Sequence, residues 1–361
     1  MDSGKELRRL KGQKVFGKLS FSPDGRFLLA GNMETADTDR TARMWDVTTG
    51  KEVWRLDTRP WLELALAFAP DGRTVAGWGQ RYTGRGAHEP AVFLSDAATG
   101  KELRRWKGHE DWVYALAFAP DGRMLVTGSR DRTIRFWELA TGQERRPPLT
   151  APAGVIQLAF SPDGRRLASV EQSFTALIWD LGLSPDGGPR VRHLPPAELA
   201  GCWDDLAAGD AARAYRTVLR LAAAPDQAVA LLRERLRPIA AADPRRVADL
   251  VAGLNGDAFA EREKAEQDLL RLGFAAEPAL RQALTKDMAP EARRRVGNVL
   301  ERLQGAEAIR ATRALEALEQ AGTPEARQLL KALAAGAAEA RLTQEAKASL
   351  ERLARRPPAA R

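Results

Sequence analysis

FAPDGRMLVTGSRDRTIRFWELATGQE, residues 118–144, decides the fold. It opens on the end of an alternating apolar run, VYALAF at 113–118, of the kind a half-buried strand shows. Pro-Asp-Gly follows. Proline presets φ for a turn, aspartate caps it through its carboxylate, and glycine takes the positive φ. MLVTG reads as a second strand and TIRFWEL as a third, and Ala-Thr-Gly at 140–142 reverses the chain again. A charged outer strand follows that turn, as KELRRW does at 101–106. One unit is therefore four antiparallel strands joined by tight turns.

The unit recurs. FSPDGRFLLAG stands at 21–31, FAPDGRTVAG at 68–77 and FSPDGRRLASV at 160–170. The third-strand phrase returns as TARMWDVTTGKE at 41–52 and AVFLSDAATGKE at 91–102. A small four-stranded sheet cannot bury both its faces, and stacking neighbours face to face removes the difficulty. The repeats thus predict an arc of β-propeller blades, one per repeat.

The third unit carries the resemblance that names the class. With Gly108-His109, Ser129-Arg130-Asp131 and Trp137-Glu138, it resembles a WD40 repeat. The resemblance implies a hydrogen-bonded structural set of His109, Thr127 (or Ser129), Asp131 and Trp137. No nucleophile or second acid accompanies the His-Asp pair. The other units depart from the pattern. Gln13 stands for the histidine in the first, which keeps Asp39, Trp45 and Asp46. The second has Glu89 and Ser95 where the aspartate and tryptophan fall. The fourth has Ser173 for the aspartate and no Gly-His pair, but keeps Trp179-Asp180.

SGKELRRLKGQ at 3–13 matches TGKELRRWKGH at 99–109. An outer strand near 3–11 is expected to complete a last blade. Four blades close a ring only with steep inclination, so an open or partner-completed arc is the favoured expectation, with self-association to cover its faces.

After 181 the pattern changes. Residues 182–202, rich in Pro and Gly, read as a linker, and 203–357 read as helices. Ala, Leu, Arg and Glu dominate there, with breaks at Asp210, Pro225, Asp243-Pro244, Gly273, Pro290 and Gly305. An array of helical hairpins is expected. AEREKAEQDLLRLGFAAEPALRQAL at 260–284 resembles a HEAT-like unit, and the order of blades followed by 200–238 resembles the C-terminal parts of WD40 proteins of planctomycete bacteria. Members of that group often carry a kinase or sigma-factor-like module upstream.

Composition narrows the function. The net charge is +8, but residues 1–199 hold 29 Lys+Arg against 25 Asp+Glu, and 200–361 hold 27 against 23. Charge spread so evenly is unlike the stripe of a nucleic-acid binder. The single cysteine, Cys202, excludes an internal disulfide, and three scattered histidines suggest no metal site. No phosphate loop, GxSxG or HExxH appears. No cofactor and no enzymatic activity are expected. The absence of an apolar run of about 18 residues argues against a membrane span. With no export signal, the cytoplasm is the expected compartment.

The chain therefore reads as a protein-interaction scaffold with a protein partner. Nucleic-acid association through the basic helices is the alternative. The connection between strands two and three is enlarged at 32–39 and 78–89, placing both on one rim. The second enlargement carries Trp78, Arg81, Tyr82 and Arg85, types that anchor interfaces.

Overall fold

Pro-Asp-Gly closes the first hairpin of every blade by the chemistry expected of it. The Asp24, Asp71, Asp121 and Asp163 carboxylates each accept the backbone N–H two residues on, at 2.9–3.0 Å. The glycine that follows takes φ of 68–72°. The second turn is equally regular. The Thr49 and Thr99 N–H groups bond the Asp46 and Asp96 carboxylates at 2.8 and 2.9 Å. In the third blade, Thr141 Oγ1 donates to Glu138 at 2.6 Å.

The computed structural model describes residues 6, 8, 10, 16–32, 41–57, 65–84, 87–181, 193–256, 258–284, 288–303 and 305–355. The chain divides into two compact units, Met1–Leu181 and Gly182–Arg361.

The first unit is four antiparallel sheets, each a meander of sequential strands. Blade 1 is β1 (Phe16–Phe21), β2 (Phe27–Asn32), β3 (Thr41–Asp46) and β4 (Glu52–Asp57). Blade 2 is β5 (Ala65–Phe68), β6 (Thr74–Gly84), β7 (Ala87–Asp96) and β8 (Glu102–Trp106). Blade 3 is β9 (Val113–Phe118), β10 (Met124–Ser129), β11 (Thr133–Glu138) and β12 (Glu144–Thr150). Blade 4 has three strands among the described residues: β13 (Val155–Phe160), β14 (Arg166–Glu171) and β15 (Ala176–Asp180). A fourth strand near 190–193 would begin outside the described residues. Of the outer strand expected near 3–11, only residues 6, 8 and 10 are described, and they are not in a strand.

Each blade stacks on the next through its inner strands: β5 on β1 and β2, β9 on β5, β6 and β7, and β13 on β9 and β10. Leu29, Met44, Leu66, Phe68 and Phe93 fill the first interface. Trp78, Leu94, Trp106, Leu125 and Trp137 fill the second. At the third, blades 3 and 4 approach so closely that a Cβ on Gly128 would lie 2.5 Å from Val155 Cγ1. The outer strands add a second link. The Trp54 indole N–H donates to the Ala97 carbonyl, and that of Trp106 to the Gly142 carbonyl, both at 2.8 Å. A side chain on the outer strand of one blade thus grips the β-turn of the following blade.

The second unit is helical. The expected linker ends early: Pro195 and Pro196 look like linker residues, but proline suits the first turn of a helix. α1 runs Pro196–Asp205. Then come α2 (Ala211–Ala223), α3 (Pro225–Arg235), α4 (Pro244–Gly253), α5 (Phe259–Leu272), α6 (Glu277–Ala283), α7 (Pro290–Leu303), α8 (Ala306–Ala321), α9 (Pro324–Ala334) and α10 (Arg341–Arg355). Asp210, Asp243 and Thr323 cap α2, α4 and α9 with their side-chain oxygens.

Two separate cores hold these helices. α1–α3 pack with α8–α10 around Leu206, Leu221, Leu232, Leu315, Leu330 and Leu333. α4–α7 enclose Leu254, Leu269, Leu280, Val296 and Leu300. The chain leaves the first core, builds the second and returns. Buried Arg313 on α8 marks the return, donating from one guanidinium nitrogen to the Leu206 and Ala208 carbonyls at 2.8 and 2.9 Å.

Candidate functional site: the blade rim and its polar lock

The structure brings His109, Thr127, Asp131 and Trp137 together. β10 presents Thr127 and β11 presents Trp137, while His109 precedes β9 and Asp131 lies in the β10–β11 turn. His109 Nδ1 lies 2.9 Å from Asp131 Oδ2, and Nε2 lies 2.8 Å from Thr127 Oγ1. Trp137 Nε1–H donates to the same Thr127 oxygen at 2.9 Å.

One proton arrangement satisfies the set. A carboxylate only accepts, so Nδ1–H donates to Asp131. Nε2 then accepts the Thr127 hydroxyl proton, whose oxygen receives the indole N–H. Asp131 also accepts the Glu110 N–H at 3.0 Å, and the Thr133 N–H and hydroxyl at 2.8 and 2.6 Å. His109 and Thr127 are buried. The arrangement uses its polar atoms on one another and ties the loop before β9 to two strand positions and the β10–β11 turn. Blade 4 keeps a remnant, with Trp179 Nε1–H donating to Ser169 Oγ at 2.9 Å.

Burial alone would raise the Asp131 carboxyl. Hydrogen bonds from His109, Thr133 and Glu110 outweigh it, and the carboxyl titrates well below the usual carboxylate range. A depressed folded-state value stabilises the fold above the unfolded value of about 3.9, and the contribution is lost as pH falls towards the folded value. Asp131→Asn is therefore expected to lower stability by about 1–3 kcal/mol at pH 7. The gap to the unmodified protein should narrow below about pH 4. Thermal unfolding of both proteins between pH 7 and pH 3 checks this. A gap constant with pH would show that the Asp131 charge contributes nothing.

The four candidate contact residues at 78–89 fare differently. The segment is not an open loop. β6 and β7 continue through it as a two-stranded ribbon, pairing Gln80 with Pro90, Arg81 with Glu89 and Tyr82 with His88, and closing at Gly84 and Ala87. β10 and β11 have six residues each where β6 has 11 and β7 has 10. Trp78 is not a rim contact. It is buried between blades 2 and 3, meeting Tyr114 edge-on at 6.2 Å. Period two carries it, with Ala76, onto the face that blade 3 covers. Arg85 lies outside the described residues, as does the enlargement at 33–39. At its base the ribbon is tied to the loop before blade 3, where Lys107 Nζ meets Glu89 Oε1 at 2.5 Å.

Sequence reasoning missed Phe174. It occupies the β14–β15 turn of blade 4, the connection that the ribbon enlarges in blade 2. It is 95% exposed with φ of 63°. The equivalent turn in blade 3 holds Arg132, with φ of 67°. An apolar residue in the polar turn Gln-Ser-Phe-Thr was the available signal.

Residues 4–46, 100–138 and 146–180 match the family model for "WD domain, G-beta repeat". WD40 repeats thus occupy three stretches of the sheet-forming unit. The stretch between the first two matches holds β4–β7, where Ser95 takes the tryptophan position and the ribbon interrupts the spacing. Among solved structures, the computationally designed Ika4 protein is similar at 27% identity and a TM-score of 0.40, covering 49% of this chain and 99% of its own. Kuenenia stuttgartiensis hydrazine synthase is similar at 15% identity and a TM-score of 0.40, over 45% of this chain and 57% of its own. No curated protein matches the chain.

Among the described residues no cluster of three metal-ligating side chains occurs, and no helix is long and apolar enough to cross a membrane.

Proposed function

We propose that this protein is a non-catalytic interaction scaffold of the bacterial cytoplasm, serving regulation or assembly, and that it takes a protein partner on the rim formed by the β6–β7 ribbon and the β14–β15 turn. The ribbon carries the reading. It extends a blade's second hairpin well past the length that stacking requires, and Lys107 ties its base to the polar-locked blade. Phe174 supports it, as a solvated aromatic ring held in a strained turn on the same rim.

Local pairing in the helical unit favours this reading over nucleic-acid binding. Arg281 is paired with Glu277, Arg294 with Glu291, Arg295 with both Glu266 and Glu291, and Arg352 with Glu319, all within 3.3 Å. Charges neutralised by neighbours offer little to a phosphate backbone.

Arg81→Ala combined with Tyr82→Ala is expected to abolish capture of the partner from source-cell lysate without lowering the melting temperature. An unchanged set of captured proteins would reject the ribbon as the site.

A further inference from the structure

The two end faces of the arc are the two halves of one blade–blade interface, left open. Leu19 and Phe21 on β1 occupy the positions of Leu66 and Phe68 on β5. Leu66 and Phe68 are buried against blade 1, whereas Leu19 and Phe21 are 59% and 60% exposed. At the other end, Ile178 on β15 occupies the position of Met44, Leu94 and Phe136. All three are buried, and Ile178 is 67% exposed. Ala159 and Ala176 share its face, through the register linking β13, β14 and β15, and are exposed too.

The outer strands show the same complementarity. Arg104, on β8 of blade 2, reaches the Ala140 carbonyl in the turn of blade 3 at 3.4 Å. Arg8 holds the matching place in the repeated phrase Gly-Lys-Glu-Leu-Arg-Arg. Its guanidinium donates to the Thr48 and Thr49 carbonyls in the turn of blade 1, at 2.6 and 2.9 Å. Arg8 therefore grips blade 1 as a preceding blade's outer strand would, with no inner strands beside it among the described residues. Blade 4 is the converse, three inner strands with no outer strand among the described residues.

We propose that a second copy of this chain completes the arc: blade 4 of each copy covers Leu19 and Phe21 of the other, beside the turn that Arg8 grips. The contact is head to tail, one surface against a different one, and two copies close it into a ring. The interface geometry needs no invention, because three copies of it already lie inside each chain. This inference stands apart from the rim reading, since neither Phe21 nor Ile178 lies on the ribbon or its neighbouring turn.

Light scattering on the purified full chain at tens of micromolar is expected to give twice the 39.5 kDa of one chain. Phe21→Glu and Ile178→Glu each change an exposed position, so each should keep the fold by circular dichroism and return the mass to that of one chain. Mixing the two variants should restore the doubled mass, because one copy then offers an intact blade 4 and the other an intact blade 1. A single-chain mass for the unmodified protein overturns the proposal. So does a doubled mass that survives either substitution, or a mass that climbs past two chains with concentration.

Discussion

Trp137→Ala is expected to cost about 3–5 kcal/mol, the ordinary penalty for emptying a large aromatic site in a packed core. The indole serves two structures at once. Its ring fills the interface of blades 2 and 3 beside Trp106, with centroids 6.1 Å apart. Its N–H supplies the last donor of the polar lock, on Thr127. Removal leaves a void between blades and withdraws a bond from a buried hydroxyl. Hydrogen exchange at the β10 and β11 amides of the full chain reads the loss without unfolding the helical unit. Trp137→Phe keeps most of the buried area and should recover more than half of it. A change below about 1 kcal/mol for the alanine variant would mean that neither the packing nor the lock holds blade 3.

The second large effect belongs to the helical unit. Arg313→Ala is expected to destabilise it by about 2–3 kcal/mol, as losing buried hydrogen bonds from a charged donor does. Two carbonyls in the segment between α1 and α2 lose their donor, and long-stem packing goes with it. Because this contact joins segments more than 100 residues apart, amides of α1–α3 should lose protection together with α8. Amides of α4–α7, which enclose their own core, should hold theirs. Equal loss in both groups would refute the division into two cores.

The blades were legible in the sequence because their turns are chemical. Pro-Asp-Gly and Thr-Gly each demand one backbone geometry, so their recurrence fixes strand ends. The polar lock was legible only through the resemblance to a WD40 repeat, which implies a hydrogen-bonded set at those four places of the unit. The ribbon was not. Arg-Tyr-Thr-Gly-Arg-Gly looks like a loop by composition, and only pairing across the turn shows it extended. Trp78 is hidden with it, since it stands at the position that holds glycine in blades 1 and 3, where the second strand of those blades reads as ending. In the helices, breaks were plain from Asp and Pro, but which helix meets which was not. Amphipathic faces rich in Ala and Leu are alike, so the return of α8 onto α2 leaves no trace in periodicity.

The grip of each outer strand on the next turn gives the arc a direction. Trp54, Trp106 and Arg8 all reach forward along the chain. The ends are therefore unlike, as a plug differs from its socket. Two arcs brought together plug to plug gain nothing, so any lengthening of the assembly, by duplication within a gene or by recruitment of another chain, inherits a fixed polarity.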